Sequence, residues 1–239
     1  MMVKKNIKNW DNKTWLSSKR YIQTFNNFLL RQIELNRNSQ ILDIGCGRGK
    51  ILGSLSLILR LKNKPTGIDI ERHKDKDKKI IFKKIDAIKY FKKNKKKFDL
   101  ILIKQTIHLL KFKEIKQLLF LCNEALNPKG KIIIFSLNTN QNEIPTFSLM
   151  KKKLKNSLNR DKQIIQFILN LDFKILIKKF VFKVKITRKK YIQMIRNRYI
   201  STLLNFKSKE INEGINEIST KYRKNLRFND KLICLILKK

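Results

Sequence analysis

Where a run of apolar residues meets a helix-like stretch, the chain reads Ile41-Leu42-Asp43-Ile44-Gly45-Cys46-Gly47-Arg48-Gly49-Lys50. An acid inside an apolar run, followed by three alternate glycines, suits ligand binding through the backbone. Glycine tolerates positive φ and lacks the Cβ that would keep a ligand from the chain. The start of the next helix offers free N–H groups to ligand oxygens. Spacing excludes two phosphate-binding motifs. The dinucleotide fingerprint asks for glycine at position 50, where Lys50 stands. The G-x-x-x-x-G-K-S/T loop is absent as well. What remains is D-x-G-x-G-x-G.

The elements around this turn follow from periodicity. Strand-like runs at Gln40–Ile44, Pro65–Ile70, Lys79–Lys84, Phe98–Ile103 and Lys131–Leu137 alternate with helical patterns near Lys50–Leu61, Ala87–Lys95 and Lys113–Leu126. ILDI, LILI and IIIF are apolar at nearly every position, as strands covered on both faces are, so the sheet is expected to be mostly parallel. Asn127-Pro128-Lys129-Gly130 reads as a helix end turning into a strand. Upstream, Ser17–Leu35 has the spacing of an amphipathic helix, with Ser17 or Ser18 as its cap. Downstream, Asn138–Phe147 is a polar loop and Ser148–Leu171 a helix. Phe173–Ile186 follows as a long strand, Tyr191–Leu204 and Ser208–Tyr222 as helices, and Leu232–Leu237 as a final strand. The expectation is a single α/β domain with a doubly wound, seven-stranded sheet. Residues 1–37 form an N-terminal helical element, 38–137 the ligand-binding core, and 138–239 the remainder, with a helical insertion at about 187–228.

The D-x-G-x-G-x-G turn resembles motif I of the class I S-adenosylmethionine (SAM)-dependent methyltransferases. Other landmarks fall in the family's order: Thr66-Gly67-Ile68-Asp69-Ile70, Lys84-Ile85-Asp86-Ala87, Phe98-Asp99-Leu100-Ile101-Leu102-Ile103, and Glu124-Ala125-Leu126-Asn127-Pro128-Lys129-Gly130-Lys131. The last of these departs from the family's L-x-P-G-G segment by carrying Lys129. The resemblance implies a Rossmann-like fold, SAM as cofactor and S-adenosylhomocysteine (SAH) as product. It places the cofactor against Asp43, Gly45, Cys46, Gly47, Asp69, Ile70, Asp86, Ala87 and Lys104. Asp69 would receive the ribose hydroxyls and Asp86 the adenine amino group, with the Ala87 N–H facing the ring. Asp69 lies 22 residues after Gly47, close to the spacing of nucleotide-binding folds generally. Asp43 either serves the methionine moiety or ties down the loop.

The acceptor side is less determined. Lys104-Gln105-Thr106-Ile107-His108-Leu109-Leu110 follows the fourth strand and lacks the (D/N)PP(Y/F) segment of nucleic-acid amino-methylating enzymes. It resembles small-molecule methyltransferases, so His108 is a candidate general base, with a packed imidazole as the alternative. Glu143 is an isolated acid that faces the acceptor or pairs with a lysine. Arg196 and Arg198, on an insertion similar to that of the trans-aconitate methyltransferase-like group, are candidate carboxylate ligands. Two residues apart on a helix, they diverge, and at most one reaches a given ligand. His73 and its neighbouring lysines read as an exposed loop, and Lys92–Lys97 as a solvated turn.

Composition bounds the rest. The net charge is +39, which taken alone suggests a polyanionic partner. Yet 45 Lys, 35 Ile and 23 Asn stand against two Ala, and these three share A/T-rich codons. Lysines outnumber arginines 45 to 12, although arginine is the better bidentate phosphate ligand. Three scattered cysteines exclude a disulfide framework and a Cys-rich zinc site, and fit a reducing, cytoplasmic setting. No metal is expected. No apolar run is long enough to span a bilayer, and Met1–Lys13 lacks the apolar core of a signal peptide. The expected function is methyl transfer to a small, anionic, carboxylate-bearing acceptor. An RNA methyltransferase and a non-catalytic SAM-binding protein are the alternatives.

Overall fold

The computed structural model describes residues 14–238. The Met1–Lys13 segment lies outside the described residues. Seven strands form one sheet: β1 Ile41–Ile44, β2 Thr66–Asp69, β3 Ile81–Lys84, β4 Phe98–Lys104, β5 Leu126–Leu137, β6 Lys174–Thr187 and β7 Asn225–Lys238. Their order is β3-β2-β1-β4-β5-β7-β6. Only β7 runs against its neighbours. The doubly wound, mostly parallel α/β fold expected from the sequence is therefore present.

Strand alternation divides the core into two layers. Leu100, Leu102, Ile133 and Phe135 face one cluster, built with α1 Lys19–Leu30, α2 Lys50–Ile58, α6 Arg188–Arg196 and α7 Ser208–Lys221. Ile101, Ile103, Ile132 and Ile134 face the other, under α3 Ala87–Lys93 and α4 Phe112–Glu124. α5, Ser148–Leu169, gives Met150 to the first cluster and Ile164 and Ile168 to the second. Ser18 caps α1 by accepting the Tyr21 N–H at 3.2 Å.

Several elements differ from expectation. α1 ends at Leu30 rather than Leu35. β5 begins at Leu126, because Phe98 pairs with Leu126 before a register shift hands Leu100 to Lys131. The expected turn at Asn127–Gly130 is thus carried inside the strand as a bulge. The expected helix over Tyr191–Leu204 is instead α6 followed by a 3-10 turn at Ser201–Leu203. It breaks at Arg198, whose φ of 49° lies in the left-handed region.

The largest difference lies in the last strand. β7 starts at Asn225, not Leu232, and pairs with β6 along 14 residues. β5 reaches only its Leu232–Lys238 half. The Asn225–Lys231 half, with the end of β6, continues past the carboxyl edge of the parallel strands. It meets the N-terminal segment there, where Tyr21 packs edge-on against Phe180 and Phe182.

Candidate active site

The glycine turn is held at the carboxyl end of β1. Gly45 and Cys46 both donate their N–H to Ile68 O, at 2.8 and 3.1 Å. Gly45, Gly47 and Gly49 have φ of 73°, 55° and 71°. Their surroundings separate packing from ligand access. A Cβ on Gly45 would stand 2.1 Å from Thr106 Oγ1, so packing alone excludes a side chain there. A Cβ on Gly47 would meet nothing within 4 Å. Gly47 therefore opens onto free space beside a positive-φ backbone, at the carboxyl edge where α/β sheets bind ligands.

Two acids at the ends of β1 and β2 are shifted in opposite directions. Asp43 is 4% exposed. Burial pushes its carboxyl up to about 7, against the pull of the Lys104 ammonium and with help from the Asp69 charge. Burial also acts to raise Asp69, but the His73 imidazole and the Glu71 and Gly47 N–H groups outweigh it and hold this carboxyl below the usual range. Asp69 Oδ2 accepts the Gly47 N–H and Oδ1 accepts the Glu71 N–H, each at 2.9 Å. Next to it, Ile70 is 44% exposed. Asp86 accepts the Lys89 N–H at 3.0 Å and caps α3, which begins at Ala87. Lys104 ends β4 with its ammonium over the Tyr21 and Phe25 rings, 5.4 and 5.5 Å from their centroids. Burial pushes the Cys46 thiol far up, which leaves it a poor nucleophile.

His73, expected on an exposed loop, is 5% exposed. The loop after β2 turns inward instead, and His73 Nε2 stands 3.5 Å from Asp69 Oδ2.

His108 lies in a 3-10 turn, Ile107–Leu109, directly after β4. Burial, and then the Arg160 guanidinium, lower its imidazole to about 4, so it is neutral at pH 7. Glu143 accepts the Asn229 N–H and Nδ2–H at 3.0 and 2.8 Å and pairs with Lys231. It thereby fastens the loop after β5 to β7. Arg196 is exposed at the end of α6. Arg198, half-buried, donates to Phe206 O at 3.1 Å. The structure thus gathers Asp43, Gly45, Cys46, Gly47, Asp69 and Lys104 around the turn, and puts Glu143 and Arg198 to work holding loops.

Sequence reasoning missed a buried polar group on the overhanging half of β7 and the helices beside it. Trp15 Nε1–H donates to Asp230 Oδ2 at 3.0 Å, and Asp230 is 2% exposed. Burial raises the Asp230 carboxyl, opposed by Trp15, Lys104 and Tyr21. The Tyr191 and Tyr199 hydroxyls stand 2.9 Å apart, and Tyr191 donates to Pro145 O. A signal for Asp230 existed. In Leu226-Arg227-Phe228-Asn229-Asp230 the acid falls in phase with the inward-facing apolar residues. Among the described residues, no group of three or more His, Cys, Asp or Glu could hold a metal ion. No described helix is long and apolar enough to cross a membrane.

Residues 35–197 match the sequence model of the methyltransferase domain, which is more than half of the chain. The chain belongs to this family. Solved structures share the fold. A proposed methyltransferase from an antibiotic biosynthesis pathway of Anabaena variabilis ATCC 29413 is 12% identical with a TM-score of 0.61, over 90% of this chain and 96% of that one. A SAM-dependent methyltransferase from Geobacter sulfurreducens, solved with SAH, is 16% identical with a TM-score of 0.54, over 92% and 90%. The plantazolicin methyltransferase BpumL, solved with a monoazolic desmethylPZN analog and SAH, is 19% identical with a TM-score of 0.52, over 97% and 88%. No match was found among curated proteins.

Proposed function

We propose that this methyltransferase-family chain uses SAM to methylate a small, anionic, carboxylate-bearing molecule. The carrying observation is the free space over Gly47, on a positive-φ turn whose N–H is accepted by Asp69. A ligand that needs close backbone approach, a carboxylate for hydroxyls and a mixed-charge end fits this set. Asp69, Ile70, Asp86 and Ala87 would hold the adenosine part. Gly45, Cys46, Gly47, Asp43 and Lys104 would hold the methionine part, its ammonium towards the acid and its carboxylate towards the lysine. When bound, SAM supplies a methyl group already activated on a sulfonium. The chain's own work is orientation and exclusion of water, for which the closed Trp15, Tyr191 and Tyr199 side is suited.

The His108 environment favours an acceptor that needs no proton removed. An imidazole near 4 is fully deprotonated at neutral pH but a weak base, far from the matched value at which base catalysis is most effective. A carboxylate acceptor is already ionised, and Arg196, exposed at the end of α6, offers it a cationic partner. His108→Ala is therefore expected to keep turnover within about tenfold, below the 10²–10⁴ of a working base. Arg196→Ala, at the exposed member of the pair, is expected to weaken acceptor binding by about 1.5–3 kcal/mol, the worth of a charged hydrogen bond.

The acceptor class is tested by incubating the protein with methyl-labelled SAM and total cell extract, then separating RNA, protein and small molecules. Label in the small-molecule fraction supports the reading. Label in RNA would overturn it in favour of a nucleic-acid enzyme. SAM binding without any transfer would mark a non-catalytic binder.

A further inference from the structure

The segment between β2 and β3 folds back across the glycine turn. The Asp77 N–H donates to Arg48 O at 2.9 Å, and the Asp77 carboxylate stands 3.6 Å from Lys50 Nζ on the first turn of α2. The Ile80 side chain fills the space over Gly49. On the same return path His73 points inward, where it is 5% exposed with Nε2 3.5 Å from Asp69 Oδ2.

The carboxylate of Asp69 is thus fixed from three places: the turn through Gly47, its own loop through Glu71, and the returning segment through His73. A carboxylate has about four lone-pair sites. The two backbone N–H groups take two. At 3.5 Å the imidazole is beyond ordinary hydrogen-bond length, so it orients the carboxylate electrostatically without occupying a third. Two sites remain, which equals the number of ribose hydroxyls. The two backbone bonds hold one oxygen each, and the buried ring against Oδ2 backs the carboxylate from a third side, which narrows the otherwise broad second torsion of an Asp further.

We infer that His73 is a positioning residue for cofactor binding, one that holds Asp69 in the orientation that receives the ribose hydroxyls. This inference rests on the SAM-site reading above. It assigns a task to a residue outside the glycine turn and outside the run of acids.

The test is calorimetric titration of SAH and of 2′-deoxy-SAH into the native protein, His73→Ala and His73→Gln. His73→Ala is expected to bind SAH about tenfold more weakly, the size of one charged hydrogen bond lost. It should lose much less affinity for the deoxy ligand, because one of the hydroxyls served through Asp69 is already gone. His73→Gln, whose amide nitrogen reaches the place of Nε2, should recover most of the SAH affinity. If His73→Ala does not fold, His73→Leu against His73→Gln makes the same comparison. Equal SAH affinity in the native and His73→Ala proteins overturns the inference and leaves the cofactor site standing. Equal weakening for both ligands also overturns it, since that marks a displaced loop. Failure of the native protein to bind SAH overturns the cofactor site, and the inference with it.

Discussion

At the residue scale, the site uses one side-chain type in two electrostatic states. Asp43 is raised to about 7 chiefly by burial, whereas Asp69 is held low by His73 and two backbone N–H groups that outweigh its burial. Opposite pH effects on stability follow for Asp43 and His108. The Asp43 carboxyl binds its proton more tightly folded than unfolded, so its contribution is full below about 4 and is lost as pH rises towards 7. His108 runs the other way. Lowered to about 4 from an ordinary 6.5, it contributes fully above 6.5 and loses that contribution as pH falls towards 4. The two oppose each other over one window, and the buried Asp161, raised to about 6, adds to the Asp43 side, so the native protein's stability should fall on balance as pH rises there. Asp43→Asn should weaken that fall and His108→Asn steepen it, each changing the slope by at most about 1.4 kcal/mol per pH unit. Thermal unfolding of the three proteins from pH 4 to 7 checks this, and parallel curves would refute it. Gly47→Val acts on geometry instead. At φ 55° a branched residue is strained, and its side chain would enter the only unfilled space among Gly45, Gly47 and Gly49. SAM affinity should fall at least about tenfold, the effect of a 1.4 kcal/mol loss, while circular dichroism stays native; normal binding would remove the turn from the site.

At the element scale, the structure depends on a tie between the N-terminal segment and the overhanging half of β7. Trp15 donates a hydrogen bond to the buried Asp230 and packs edge-on against Tyr199 and Phe228. Trp15→Phe keeps a ring but leaves a buried acid without that donor. It should cost about 1–3 kcal/mol, as unsatisfied buried polar groups do, read as a lower urea midpoint. No change would mean that the carboxyl finds another partner. This tie also shows where the sequence stops being informative. β1 and β4 were legible because both faces are buried and the residues read as apolar runs. The first half of β7 alternates Asn, Arg and Asn with inward Leu, Phe and Asp, and with so many polar residues it reads as loop. The end of α6 was invisible for another reason: Arg198 adopts a left-handed conformation that nothing in its type predicts. In the site, the glycines and Asp43 announced themselves as residues out of place in an apolar run. His73 did not, because it is buried by the tertiary course of a loop that returns over the turn through Asp77 and Ile80, a course that no local pattern encodes.

At the scale of the whole molecule, the charge must be reconciled with the cofactor. Much of the +39 lies on exposed lysines, including Lys92, Lys93 and Lys95–Lys97, and Lys174, Lys178 and Lys179 along the edge strand β6. On β6 the lysines have a structural use, since charged side chains discourage pairing at an open edge that also shows Leu176, Ile177 and Val181. Their summed field still acts on ligands. SAM carries one carboxylate, one ammonium and one sulfonium, a net single positive charge, and SAH has lost the sulfonium and is neutral overall. A strongly positive protein therefore disfavours SAM relative to SAH by long-range repulsion, and favours an anionic acceptor by attraction. Salt screens both effects, with a Debye length that falls from about 30 Å at 0.01 M to about 10 Å at 0.1 M. The ratio of the dissociation constant of SAM to that of SAH should accordingly fall as salt is raised across that range, and the KM of the anionic acceptor should rise. Isothermal titration with each ligand at four salt concentrations measures the first, and initial rates on the identified acceptor measure the second. A ratio indifferent to salt would show that solvent screens the lysines before their field reaches the turn, with Asp43, Asp69 and Asp230 setting the local potential; the +39 would then have no part in ligand choice.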